Sequence, residues 1–266
     1  MPGRPQAPRP PAVVLAWAQR DRARALVRNA LPRRRFRVTA VHDAAEFAVH
    51  ARRTLVDLAL VDAAAEDPWP LAELAREFPS IAFVALTPGR ASDAPIVERC
   101  LGLDFADVLV EGIDDAAVEP LLEPLGFGAR FAAALGEPPE ALALRVPLQR
   151  EAWRHVVAHA GLPVRTEVLA ALLGVTREHL SRTFAAGGAP NLKRIMDLVR
   201  LIAAAELAKN PGFDIGDVAR VLDFASSSHL STTAQRIVGV RPASLARLRT
   251  VDLIERFVHG RTRSRS

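Results

Sequence analysis

Cysteine is almost absent: Cys100 is the only one in 266 residues. That excludes an intramolecular disulfide and a cysteine-rich zinc site, and it fits a reducing cytoplasm. Long apolar runs are also missing. None approaches the ~18 residues of a membrane span. The apolar stretch Ala12–Ala18 follows Arg9-Pro10-Pro11 and runs straight into Arg20-Asp21-Arg22-Ala23-Arg24, so it reads as a first β-strand rather than a signal-peptide core. There is no Gly-rich phosphate loop, no nucleophile elbow and no catalytic carboxylate pair, so no enzyme, no cofactor and no metal are expected. Lysine is scarce too. Only Lys193 and Lys209 occur, and arginine carries nearly all the positive charge. Arginine suits bidentate contacts to guanine and phosphate.

The net charge of +5 is unevenly spread. Residues 1–144 sum to −4 and residues 145–266 to +9. An acidic half beside a basic half predicts that only the C-terminal half meets a polyanion.

That half carries the strongest pattern. From Asp214 to Leu230, Ile215, Val218, Ala219 and Leu222 fall at helical spacing, a tight polar turn follows, and a second short helix is predicted from about Ser227 to Arg236. This is a helix-turn-helix, a shape that places its second helix in the DNA major groove. The same pattern occurs upstream, from Val168 through Leu173-Gly174-Val175-Thr176 to Phe184. Two units joined by a long helix are a much stronger signal than one.

On these residues the stretch from Pro147 to Leu248 resembles the AraC/XylS-type DNA-binding domain. The resemblance rests on Leu173-Gly174-Val175-Thr176, Leu180-Ser181-Arg182-Thr183-Phe184, Ile215-Gly216-Asp217-Val218-Ala219 and Gly239-Val240-Arg241-Pro242. It implies a bacterial transcription regulator. In the first unit Leu180 and Phe184 pack inward, which leaves Arg177, Glu178, Ser181 and Arg182 for the groove, with Thr176 as helix cap. Arg182 is the leading candidate for a base contact, weighed against a Glu178–Arg182 surface pair. In the second unit Leu230 packs inward, leaving Ser227, Ser228, His229, Ser231 and Thr232. Members of the family favour Gly where Asp223 stands and commonly Arg where Thr232 stands. The second unit is therefore expected to grip by phosphate contacts and shape, with specificity concentrated in the first.

In the N-terminal half, apolar runs at Ala12–Ala18, Phe36–Val41, Leu55–Val61, Ile81–Leu86 and Val108–Val110 alternate with amphipathic segments. This predicts an α/β domain with a doubly wound parallel sheet. The region from Ala12 to Leu125 resembles a response-regulator receiver. Asp62 stands at the phosphoacceptor place and Thr87 at the switch hydroxyl. Two departures stand out. Trp17-Ala18 replaces the acidic pair that holds magnesium, and Glu111 replaces the lysine. Phosphoryl transfer concentrates negative charge that Mg²⁺ and a cation normally offset. The expectation is a receiver-shaped scaffold with a degenerate phosphoacceptor, Asp62, kept for regulation or dimerisation.

The expected layout is a disordered tail over 1–11, a receiver-like domain over 12–125, a connector over 126–146, an all-α domain with two helix-turn-helix units over 147–250, and a basic tail over 251–266. His155 and His159 share one helix at a zinc-compatible spacing but lack a third ligand. Double-stranded promoter DNA is the expected partner, with RNA polymerase and a second copy through the N-terminal domain as further ones, and no membrane. The rivals are a protein-interaction adaptor with weakened DNA binding and a phosphorylation-dependent response regulator.

Overall fold

The computed structural model describes residues 9–185 and 188–263. Residues 1–8 of the expected N-terminal tail, and 264–266 of the C-terminal one, lie outside it. The chain forms two compact units. One comprises Pro11–Arg130 with Lys209–Asp217; the other comprises Phe131–Ala208 and the residues from Val218 onward.

The first unit is built on five parallel strands, β1 (Ala12–Trp17), β2 (Phe36–Ala40), β3 (Leu58–Asp62), β4 (Ala82–Thr87) and β5 (Asp107–Val110), in the order β2-β1-β3-β4-β5. The order explains the sequences. β3 and β4 lie inside the sheet with both faces covered, so LALVD and AFVALT are buried at every position. β2 is an edge strand, and FRVTA is buried only at Phe36. The linking helices are α1 (Asp21–Ala30), α2 (Ala44–Ala51), α3 (Trp69–Ala72), α4 (Leu74–Glu77), α5 (Ala94–Gly102) and α6 (Val118–Leu122).

They cover both faces of the sheet. On one face Phe47, Phe78, Phe83 and Phe105 form a ring cluster with α2 to α5, with Phe47–Phe83 centroids 5.3 Å apart and Phe83–Phe105 5.6 Å apart. Cys100 is fully buried there, and burial pushes its thiol pKa up. On the other face Leu26 and Val27 of α1 and Leu122 of α6 pack on Val14, Leu60 and Leu109. Phe213, in the Lys209–Asp217 segment of this unit, stacks 5.2 Å from Phe78. This is the receiver-like doubly wound architecture. Its sheet order reverses beside β1 and β3, so the carboxyl ends of those strands form the crevice where such folds place their chemistry.

The chain continues through α7 (Phe127–Leu135) into an all-α second unit: α8 (Pro147–Ala158), α9 (Thr166–Leu172), α10 (Arg177–Ala185), α11 (Leu192–Leu207), α12 (Ile215–Val221, in this unit from Val218 onward), α13 (Ser227–Val238) and α14 (Thr250–Arg263). α11 is capped by Asn191, whose side chain accepts from Arg194 N at 2.9 Å. It buries Ile195, Leu198, Val199, Leu201 and Ile202, more than one stripe of its surface, because neighbours pack around it.

α14 corrects the expected basic tail. Residues 250–263 are helical, because Leu253, Ile254 and Phe257 form an apolar stripe that is buried in this unit. The cap is also local: Arg249 N donates to Asp252 Oδ2 at 2.9 Å.

Candidate nucleic-acid interface and carboxylate site

α9 and α10 are joined through Gly174, whose φ of +66° lies in the left-handed region that a side chain resists. Thr176 Oγ1 accepts from His179 N at 3.1 Å and caps α10. Leu180 and Phe184 are fully buried, so the helix turns the opposite face outward. Thr176, Arg177, Glu178, Ser181 and Arg182 are all exposed. Arg177 pairs with Glu167 of α9 at 3.1 Å, with both side chains open to solvent. Neither Glu178 nor Arg182 has an ion-pair partner among the described residues, so the surface pair weighed against an Arg182 base contact does not form.

α12 and α13 are joined through Asp223, at φ +56°. This conformation is the physical reason glycine is favoured at that place. The turn is held by Arg200 of α11, whose Nη2 donates to Leu222 O at 2.9 Å and whose guanidinium lies 3.7 Å over the Phe224 ring. Burial pulls the Arg200 pKa below its usual value, against the opposing charges of Asp197 and Asp223. Sequence reasoning missed this residue. Its one available signal was a cation on the apolar linking helix.

Ser226 caps α13, accepting from His229 N at 3.1 Å. Leu230, Ala234 and Ile237 are buried; Ser227, Ser228, His229 and Thr232 are exposed, whereas Ser231 is half-buried. The hydroxyls of Ser231 and Thr232 donate to the carbonyl oxygens of Ser227 (2.9 Å) and Ser228 (3.0 Å). Each hydroxyl proton is thus committed to the helix itself, leaving oxygen lone pairs outward. The two units therefore differ. One presents an unpaired guanidinium and the other short side chains already bonded to their own backbone.

In the N-terminal α/β unit, the carboxyl ends of β1, β3 and β5 bring together Arg20, Asp62 and Glu111. Asp62 is completely buried and Glu111 nearly so. Asp62 Oδ2 accepts from Arg20 N (2.8 Å) and Gln19 N (3.1 Å), and Oδ1 accepts from Arg20 Nε (2.7 Å). Arg20 also donates through Nη1 to Glu111 Oε2 at 3.3 Å and through Nη2 to Oε1. Burial works against this cation, but the hydrogen bonds and charges of Asp62 and Glu111 outweigh it and raise the guanidinium pKa.

The expected field reversal at Glu111 is thus offset from within. Arg20 bridges both carboxylates, and Arg22 Nε lies 3.9 Å from Glu111. Trp17 fills the place of the acidic pair as a buried ring whose Nε1 donates to His42 O at 3.1 Å. Thr87 Oγ1 donates to Asp93 Oδ2 at 2.9 Å, which fixes the switch-like hydroxyl. Arg20 is the second residue that sequence reasoning missed. The signal was the charge reversal at Glu111 itself, which calls for a cation at the end of β1.

His155 is buried with its Nδ1 unpartnered, and His159 turns its Nδ1 back to the His155 carbonyl oxygen at 2.7 Å.

Residues 169–247 match a family model described as a helix-turn-helix domain. No curated protein sequence matches the chain. Among solved structures, full-length FixJ from B. japonicum aligns over 84% of this chain and 96% of its own, at 14% identity and a TM-score of 0.35. No described helix is long and apolar enough to cross a membrane. The two-unit geometry and the match together identify residues 169–247 as an AraC-type helix-turn-helix domain, the DNA-binding part of a transcription regulator.

Proposed function

We propose that this chain binds bacterial promoter DNA sequence-specifically and that its receiver-like unit regulates or dimerises it without being phosphorylated. The observation that carries the first part is the exposed, unpaired Arg182 on the outer face of α10, opposite buried Leu180 and Phe184. In a major groove such an arginine reaches guanine O6 and N7. Arg177, Glu178 and Ser181 flank it, and Thr176 brings the α10 N-terminus to a phosphate. In α13, Ser227, Ser228 and His229 sit on the first turn, at the positive end of the helix dipole, which suits phosphate, while Ser231 and Thr232 add shape rather than base readout.

The second part rests on Asp62. Its oxygens already accept three hydrogen bonds, and a guanidinium occupies the space beside it. A nucleophilic carboxylate needs a free lone pair, a metal and room for a phosphoryl group. RNA polymerase and a second copy through the N-terminal unit are the further partners this reading carries, and the cytoplasm is its setting. No catalytic role belongs to it.

The test is selection of bound sequences from randomised DNA with the full chain. One strongly specified half-site beside one weakly specified one is expected. Two equally informative half-sites would overturn the division of labour. No enrichment at all would favour the adaptor reading, which the backbone-bonded hydroxyls of α13 also suit.

A further inference from the structure

A groove of about 780 Å³ runs along the β2 edge of the N-terminal unit, beside α1. That is the size range of small-molecule sites. Its floor is the α1-facing side of β2: Phe36 is buried, Val38 is 37% exposed and Ala40 is exposed. α1 offers Arg24, Val27 and Arg28 to the same groove, with Leu31 just beyond its end, so one helix face supplies apolar wall and cation together.

The charge pattern is one-sided. Arg24, Arg28, Arg33 and Arg37 line the groove, and no aspartate or glutamate does. Other nearby arginines are occupied. Arg35 pairs with Glu119 at 3.0 Å and Glu123 at 2.6 Å, and Arg24 bonds to Asp21 and to Gln19 O. The side chains of Arg28, Arg33 and Arg37 have no hydrogen-bond or ion-pair partner among the described residues. Arg28 and Arg33 bring unpaired guanidiniums to the apolar floor, and Arg37, which alternates with Phe36 and Val38 along β2, lies at its rim; this stands out in a half whose net charge is −4.

We propose that this groove binds a small amphiphilic anion, a carboxylate or phosphate monoester with an apolar body. The guanidiniums would fork onto the oxyanion and the floor would take the apolar part. A second copy fits poorly. Pairing two β2 edges about a twofold axis sets the arginines against their own copies. DNA phosphates fit poorly too, because they leave the apolar floor in water. Gln19 gives the ligand a route to the rest of the unit, since it lines the groove while its backbone N–H binds Asp62. The proposal extends the reading of this unit as regulatory. It is measured without DNA, so its failure leaves the DNA-binding reading standing.

The test is titration calorimetry of the full chain with octyl phosphate, octanoate, octanol, octyltrimethylammonium and inorganic phosphate. Saturable one-to-one binding of the two octyl anions is expected, at least tenfold tighter than octanol or inorganic phosphate, with no binding of the ammonium. The Arg28→Gln/Arg33→Gln/Arg37→Gln variant should weaken the anions at least tenfold while melting at the same temperature, since those side chains hold nothing in the fold. Val38→Glu should abolish binding from the floor. Octanol binding as tightly as octyl phosphate, inorganic phosphate binding as tightly as either octyl anion, undiminished binding by the triple variant, or no saturable heat from the octyl anions would each overturn the proposal.

Discussion

Arg20 Nε donates to Asp62 Oδ1 at 2.7 Å, and the same guanidinium reaches Glu111 across the crevice. One cation thus serves two buried carboxylates that come from the ends of two different strands. Arg20→Met would strand both. Loss of one partner from a fully buried pair costs about 3–5 kcal/mol. Arg20 is partly open to water, with a side chain 27% exposed, so about 2–3 kcal/mol is expected. Urea unfolding followed by circular dichroism reads this directly. Adding Asp62→Asn to Arg20→Met should recover part of the loss. A midpoint unchanged by Arg20→Met would show that the crevice is solvated enough to need no cation.

The same contact bears on phosphorylation. Acetyl phosphate with Mg²⁺ should leave the intact mass unchanged, because the donor meets an occupied carboxylate with no magnesium carboxylates at Trp17-Ala18. Asp62→Asn should leave DNA affinity within about twofold, since it removes no regulatory charge. A gain of one phosphate, absent in Asp62→Asn, would turn the unit into a working receiver.

Arg182→Ala tests the interface. The side chain has no partner to lose among the described residues, so stability should hold. Affinity for the preferred site should fall by about 1–3 kcal/mol with relaxed preference at one position. Fluorescence anisotropy on the preferred site and on random DNA separates the outcomes. An equal fall on both would make Arg182 a phosphate contact.

The five strands were legible in the sequence because buried parallel strands read as continuous apolar runs, and β3 and β4 do so over their whole length. Their edges moved by at most three residues. α14 was not legible as a helix because Leu253, Ile254 and Phe257 sit among charges that suggest a solvated tail. At the interface, exposure was readable from the inward pair Leu180 and Phe184, and Ser231 alone is more buried than expected. Partners were not readable. The Arg177–Glu167 pair and the hydroxyl bonds of Ser231 and Thr232 depend on rotamers, and the Arg20 bridge depends on three strand ends meeting.

His155 supplies a pH dependence. It is buried in the C-terminal unit with Nδ1 lacking a hydrogen-bond partner. Burial lowers its pKa, with His159 adding to the shift and Glu151 opposing it. A depressed histidine is held neutral in the fold. The unfolded chain takes up a proton near the ordinary value of 6.5. Above that pH neither state is protonated and stability is full. As pH falls through 6.5 toward the lower folded value, the unfolded state binds the extra proton and stability is lost. The melting temperature should therefore drop between about pH 6.5 and pH 5, before most carboxylates titrate. His155→Phe, of similar ring size, should flatten that decline, and His159→Gln should not. A decline of the same slope in His155→Phe would assign the acid sensitivity to another group.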